Sequence, residues 1–235
     1  PRAGALPLTL WFTSNAYLDA ATAQTDPDFQ AAVARMQDIY LSANIDLSPI
    51  TYRDIAEPAA SLYTIADLGT ATEGQIITES FGGEQPDGAN IVFVEQFLTE
   101  DGDSLYGVSA GLPGPPPSNG STTLGVLVGL DIHYYEEGGM DVVEMAATMG
   151  HELGHYLGLY HVSEADGSSH DPLADTPECT IASDTDGSES LSAEEGGEAI
   201  GSYMMFWTSA YGVYDQDRIS TGQEWVLQRN PAILP

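Results

Sequence analysis

The sequence contains no lysine, and its basic complement is five arginines: Arg2, Arg35, Arg53, Arg218 and Arg229. Against them stand 36 acidic residues, giving the 235-residue chain a formal net charge of -31. Such a field repels nucleic-acid phosphates and anionic membrane surfaces, and it attracts cations and cationic peptides. Neither nucleic acid nor a membrane is therefore expected as a partner. The charge has two open explanations, solubility of a secreted or salt-adapted protein and a part in substrate choice. Cysteine is nearly absent as well: Cys179 stands alone and has no internal disulfide partner. No apolar run approaches the roughly 20 residues needed to span a bilayer. Pro1 to Pro7 lead directly into a strand-like segment without a signal-peptide pattern, so a mature or trimmed form is expected. No internal repeat is visible. The length suffices for one full core or two close-packed subdomains.

Hydrophobic patterning supplies the elements. Leu8–Phe12 is a short apolar run suited to a buried strand. Asp26-Pro27 opens a helix, with Phe29, Val33, Met36, Ile39 and Tyr40 recurring at three- and four-residue steps to about Ala43. Ile45 to Tyr52 reads as a strand, and Gln75-Ile76-Ile77 as either a short helix or a turn. Ile91–Val94 is a strand, followed by a Gly/Pro-rich loop through Gly111 to Pro117. Leu124 to Ile132, nearly continuous in apolar residues, predicts a strand buried on both faces. His133 follows on a strand beside Tyr134 and Tyr135. Asp141 caps a long helix running through Met145 and Met149. The order strand, helix, strand, strand, strand, helix makes an α/β fold with a mixed sheet.

That last helix ends in His151-Glu152-Leu153-Gly154-His155-Tyr156-Leu157-Gly158-Leu159-Tyr160-His161. His151 and His155, four residues apart, lie on one helical face and can offer both imidazoles to one ion. Glu152 reaches a metal-bound water without being a ligand, the position of a general base. Gly158 can adopt positive φ, stop the helix and bring His161 back as third ligand. Three protein ligands leave one zinc position open, which is the pattern of a catalytic rather than a structural site.

This stretch resembles the metzincin metallopeptidases, whose motif H-E-x-x-H-x-x-G-x-x-H it matches in full. Within them, His155-Tyr-Leu-Gly-Leu-Tyr-His161 and Asp171-Pro172-Leu173-Ala174-Asp175-Thr176-Pro177 are similar to the pappalysin (ulilysin-like) group. The resemblance implies a mixed twisted sheet with two long helices. It divides the chain into an upper N-terminal subdomain, 1–158, carrying the active-site helix, and a smaller irregular C-terminal one, 159–235, with the third zinc ligand, an acidic loop and a methionine-bearing turn. Gly201 to Trp207 supplies that turn: Ser-Tyr-Met favours Met204, Met-Phe-Trp favours Met205, and the second is preferred. Relatives carry a disulfide after the Asp-Thr-Pro segment, whose partner for Cys179 is missing here.

The resemblance further implies zinc-dependent endopeptidase chemistry on protein or peptide substrates, in a secreted and monomeric enzyme. Substrate would pair with the sheet edge near Gly107 to Gly111, and the turns from Tyr203 to Asp217 would wall the pocket for the side chain after the cleaved bond. Trp207 takes the place of the tyrosine that assists in relatives, or Phe206 does if Met204 is the turn methionine. Asp215 and Asp217 in that wall predict a preference for arginine or lysine. The class kept beside this one is a zinc-binding adhesion or interaction module without turnover, against which Glu152 argues.

Residues 162 to 200 are acidic and lack hydrophobic periodicity, as expected of a long loop. Asp171, Asp175 and Thr176 are candidate calcium ligands, and Asp184-Thr185-Asp186-Gly187 with Glu189 and Glu194 resembles a calcium-binding aspartate loop, although not at EF-hand spacing. A flexible acidic loop without an ion is the other reading. His170, like His133, reads as structural.

Overall fold

A computed structural model of the protein describes residues 4–67, 88–114 and 125–234. Among the described residues there are nine strands: β1 (Gly4–Ala5), β2 (Leu8–Phe12), β3 (Ile45–Asp46), β4 (Ile50–Asp54), β5 (Ile65–Asp67), β6 (Ala89–Val94), β7 (Gln96–Leu98), β8 (Gly107–Ser109) and β9 (Val126–Gly129). The principal sheet runs β4-β2-β6-β9-β8. Its first four strands are parallel, and β8 closes the edge antiparallel to β9. Two further parallel pairs, β1 with β3 and β5 with β7, stand outside it. The central strands β2 and β6 are buried at every position, as strands covered on both faces should be.

Two sixteen-residue helices pack together on this sheet: α1 (Pro27–Ser42) and α2 (Val142–Leu157). Asp26 caps α1 by accepting the Phe29 N–H, with Pro27 at the first helical position, where its missing N–H is not needed. Asp141 does the same for α2, accepting from Val143 and Glu144 N–H, a contribution of about 1 kcal/mol for such a cap. Phe29 from α1 meets Phe12 and Phe93 edge-on, and those two rings stack at 5.1 Å between centroids. Tyr40, fully buried, donates its hydroxyl to Gly150 O, 2.8 Å away, and so links the helices. One hydrophobic cluster runs from Leu6 through Tyr156 to Met205, Leu227 and Ala232, so residues on both sides of Gly158 share a core.

Two strand expectations are corrected. Ile45 to Tyr52 is broken: β3 pairs with β1, the chain jogs at Leu47-Ser48-Pro49, and β4 joins the main sheet beside β2. Pro49 has no N–H to give a ladder, which is where the pairing changes partner. The predicted strand to Ile132 stops at Gly129, and Asp131–His133 forms a single 3-10 turn, with Asp131 accepting the Ile132 N–H. His133 is therefore in a turn, not a strand. Leu124, Gln75–Ile77 and Pro115–Pro117 lie outside the described residues.

Candidate active site

α2 ends where the glycine predicts. Gly158 has φ of 108°, its N–H returns to Gly154 and His155 carbonyls, and the chain turns beneath the helix. The turn is pinned by the Leu159 N–H to Gly154 O, 2.9 Å, and by the Val162 N–H to Met205 O, 2.8 Å. His161 is thereby carried back to His151 and His155. Its Nε2 lies 3.2 Å from His151 Nε2 and 3.0 Å from His155 Nε2.

The outer ring nitrogens explain this convergence. His151 Nδ1 faces Met204 O at 2.8 Å, His155 Nδ1 faces Leu159 O at 2.7 Å, and His161 Nδ1 faces Glu164 Oε2 at 2.9 Å. Carbonyls and a carboxylate only accept, so each ring carries a proton on Nδ1 and in its neutral form turns the Nε2 lone pair inward. Burial and the neighbouring imidazoles keep His151 well below the usual histidine range and push His155 down to about 4, which preserves the neutral form. Three lone pairs at this separation repel unless a cation sits among them. In a tetrahedral zinc site with Zn–N bonds of about 2.0–2.1 Å, ligand nitrogens stand roughly 3.3–3.4 Å apart, close to the spacing seen here. The donor set fits zinc.

Glu152 projects beside the triad. Burial pushes its carboxyl up to about 8, opposed by the Ser109 N–H that hydrogen-bonds to it from β8. Contact with that strand is close: a Cβ at Gly107 would lie 2.9 Å from both Glu152 Cγ and Leu127 O, so only glycine lets the edge strand approach the helix. The predicted Gly107 to Gly111 segment thus borders the triad. A cleft of about 430 Å³ is lined by Gly107, Ser109, Glu152, the histidines and Trp207. Beside it a second cavity, about 250 Å³, shares Gly107, His151, Glu152 and Trp207, and extends to Glu144, Ser209 and Gln216.

Both methionines lie under the helix. A Cβ at Gly154 would meet Met205 Sδ at 2.6 Å and Met204 Cε at 3.0 Å, while Met204 also faces Gly150. Met204 holds His151 through its carbonyl and Met205 holds the turn through its own, so the two share the bracing expected of one. Trp207 lines both cavities and donates its indole N–H to Leu191 O, 2.7 Å, whereas Phe206 is buried.

The pocket wall needs correction. Asp215 and Asp217 do not line the cavity beside the triad. They sit at the surface against Arg35 of α1, at 2.9 and 3.6 Å, and border a different groove with Glu198 and Arg218. Gln216 between them points inward instead, its amide held by the Thr208 carbonyl and the Ala210 N–H. Besides Glu152, the acid lining this cavity is Glu144, buried at 6 % exposure, its carboxyl raised chiefly by burial and lowered by a hydrogen bond with Ser209. Glu144 stands outside the sequence-predicted site residues, although it lies seven residues, about two turns, before His151 on the same helix.

The candidate calcium ligands fall into two places. Asp171 Oδ1 accepts from the Thr176 hydroxyl and the Leu173 N–H, leaving Oδ2 buried without a partner. Asp175 caps the last helix, α3 (Thr221–Leu227), accepting from Ser220 Oγ at 3.1 Å and Gly222 N at 2.7 Å. Asp184 and Asp186 gather with Glu195, not with Glu189 or Glu194. All three carboxylates are satisfied by backbone N–H groups: Gly187 and Glu189 on Asp184, Ser188 on Asp186, and Thr185 and Ser192 on Glu195. The loop is built on its own hydrogen bonds, with Cys179 a free, buried thiol whose N–H meets Ser163 Oγ and whose carbonyl meets His170. His133 is buried with no hydrogen bond to either ring nitrogen.

A family model, Peptidase_M43, described as pregnancy-associated plasma protein-A, matches residues 91–226, more than half the chain and the whole of the site. No curated protein sequence matches significantly. Among solved structures, mature mirolysin of Tannerella forsythia in complex with a cleaved peptide is similar, at 17% identity and a TM-score of 0.57, over 97% of this chain and 91% of that one. The archaemetzincin of Methanopyrus kandleri is similar at 12% identity and a TM-score of 0.50, over 98% and 97%. The twisted mixed sheet with two long helices is thus a metzincin fold, and the protein belongs to the Peptidase_M43, or pappalysin, family of metallopeptidases.

Proposed function

We propose that the protein is a zinc-dependent endopeptidase that works as a secreted monomer on protein or peptide substrates. One observation carries the reading: the Nε2 atoms of three histidines meet in a cleft beside a carboxyl group that is not among them. His151, His155 and His161 would hold the ion, and the cleft they line gives water and substrate access to it. Bound zinc supplies Lewis-acid polarisation of the scissile carbonyl and of the attacking water. Glu152 takes the water's proton and returns it to the leaving amine, at a site partly shielded from bulk solvent. Ser109 N–H keeps that carboxylate in place. Among the described residues β8 is the last strand of the sheet, so its outer edge can align a substrate strand backbone to backbone. No helix among the described residues is long and apolar enough to cross a membrane, and the charge of -31 suits a protein kept soluble outside the cell.

The test is peptide hydrolysis with and without chelator, joined to elemental analysis. His155→Ala leaves two imidazoles of three, and the purified variant is expected to lose its zinc and its activity together. Stoichiometric zinc in that variant would refute the ligand assignment.

The preference for basic residues after the cleaved bond is part of the proposal, with Glu144 in the role earlier given to Asp215 and Asp217. Each described arginine is turned elsewhere: Arg35 to those two aspartates, Arg53 over Trp11, Arg218 over Tyr203 and Arg229 over Trp225. Glu144, hydrogen-bonded to Ser209, therefore faces the cavity with no arginine paired to it among the described residues, and can meet a cation brought by substrate.

Calcium is proposed at Asp171. Burial raises its carboxyl, Asp175 adds like charge, and Oδ2 lacks any partner. A cation bound only by the folded chain stabilises it by mass action. Thermal unfolding in zinc-replete buffer is expected to shift upward in millimolar calcium, and Asp171→Asn to reduce the shift. An unmoved midpoint in the unaltered protein refutes the site.

A further inference from the structure

The three histidines differ in what holds their outer nitrogen. Main-chain carbonyls of Met204 and Leu159 hold two of them, and substitution of a side chain cannot remove those. The third, His161, is held by the Glu164 side chain, Oε2 to Nδ1 at 2.9 Å. Glu164 does not reach this position by chance of a flexible surface. Its N–H bonds to Ser169 O, its carbonyl takes the Gly167 N–H, and the adjoining Ser163 bridges to His170, so a tight hairpin fixes its backbone. Ser163 is further clamped through its hydroxyl, which accepts the Cys179 N–H.

We propose that Glu164 is a positioning residue for the metal centre, holding the His161 imidazole in the tautomer and orientation that direct its Nε2 at zinc. The inference rests on the zinc-site reading. A carboxylate partner fixes the proton on Nδ1, restrains ring rotation and makes the far nitrogen a stronger donor, and loss of such a partner weakens metal binding by roughly 10- to 100-fold. His161 needs this more than its fellows, because it stands beyond the helix on a turn, whereas α2 orients both others. The acidic hairpin after the motif thereby gains a role that neither charge nor solubility would require of it.

Zinc affinity of the full chain, measured by competition with a fluorescent chelator, tests this in the unaltered protein, Glu164→Gln and Glu164→Ala. The alanine variant is expected to bind roughly 10- to 100-fold more weakly, with glutamine between, since its amide oxygen accepts the Nδ1 proton without the charge. Asp166→Asn, removing a charge from the same hairpin, should leave the affinity within about twofold. With Glu164 about half exposed (46%), the chelator-stripped proteins should unfold at the same temperature. Equal zinc affinity across the Glu164 series overturns the proposal, as does a metal-free unfolding temperature that falls in step with affinity. An unaltered chain that binds no zinc overturns the zinc reading and this inference together; one that binds tightly regardless of residue 164 overturns this inference alone.

Discussion

Glu152→Gln is expected to lower kcat/KM on a peptide substrate by about 10²- to 10⁴-fold while the purified protein keeps a full equivalent of zinc. The amide preserves the shape and the hydrogen bond from Ser109 but cannot accept a proton from water. Its neighbour His151 remains anchored to Met204 O at 2.8 Å, His155 to Leu159 O and His161 to Glu164, so nothing in the ligand set depends on residue 152. The measurement needs both numbers. Hydrolysis at the unaltered rate would remove Glu152 from the mechanism, and zinc lost along with activity would instead make it part of the ligand shell. Retention of zinc with loss of turnover is also what separates an enzyme from a binding module, for which a proton-accepting residue at this place has no use.

The zinc motif was legible in the sequence because its geometry is local. His151 and His155 share a helix face by spacing alone, and Gly158 announces the turn that returns His161. The caps were legible for the same reason: Asp26 and Asp141 act on N–H groups two and three residues away. What failed depended on distant partners. Ile45 to Tyr52 is apolar enough for one strand, yet its halves pair with β1 and β2 in different sheets, which no local pattern encodes. Asp215 and Asp217 flank the pocket in sequence, but Arg35, from a helix 180 residues earlier in the chain, draws them outward and leaves Gln216 facing in. With four described arginines among so many acids, which carboxylate is paired and which is left at the site is decided by the folded arrangement. Glu195, the third member of the Asp184 and Asp186 cluster, was missed because a short capping turn at Ser192 selects it over Glu194.

That distribution of charge sets the expected selectivity. On peptides differing only in the residue after the scissile bond, arginine and lysine are expected to be cleaved about 10- to 100-fold faster than leucine, the range of roughly 1.5–3 kcal/mol for a hydrogen bond to a charged group. Glu144→Gln should remove most of that advantage, and Asp215→Asn or Asp217→Asn should leave it. The pH dependence has a definite sign. Burial holds the Glu144 carboxyl above the ordinary value of 4.5, so it is protonated at the acidic end and gains charge as pH rises through its shifted pKa. The ratio of arginine to leucine cleavage should therefore climb over that interval in the unaltered enzyme and stay flat in Glu144→Gln. Salt discriminates further: a carboxylate at 6 % exposure is screened less than the surface aspartates, so the preference should survive ionic strengths that would abolish a surface effect. A leucine preference at every pH would exclude Glu144 from selection. A basic preference that disappears with Asp215→Asn, or in high salt, would return selection to the surface charge and leave the buried acid a structural partner of Ser209.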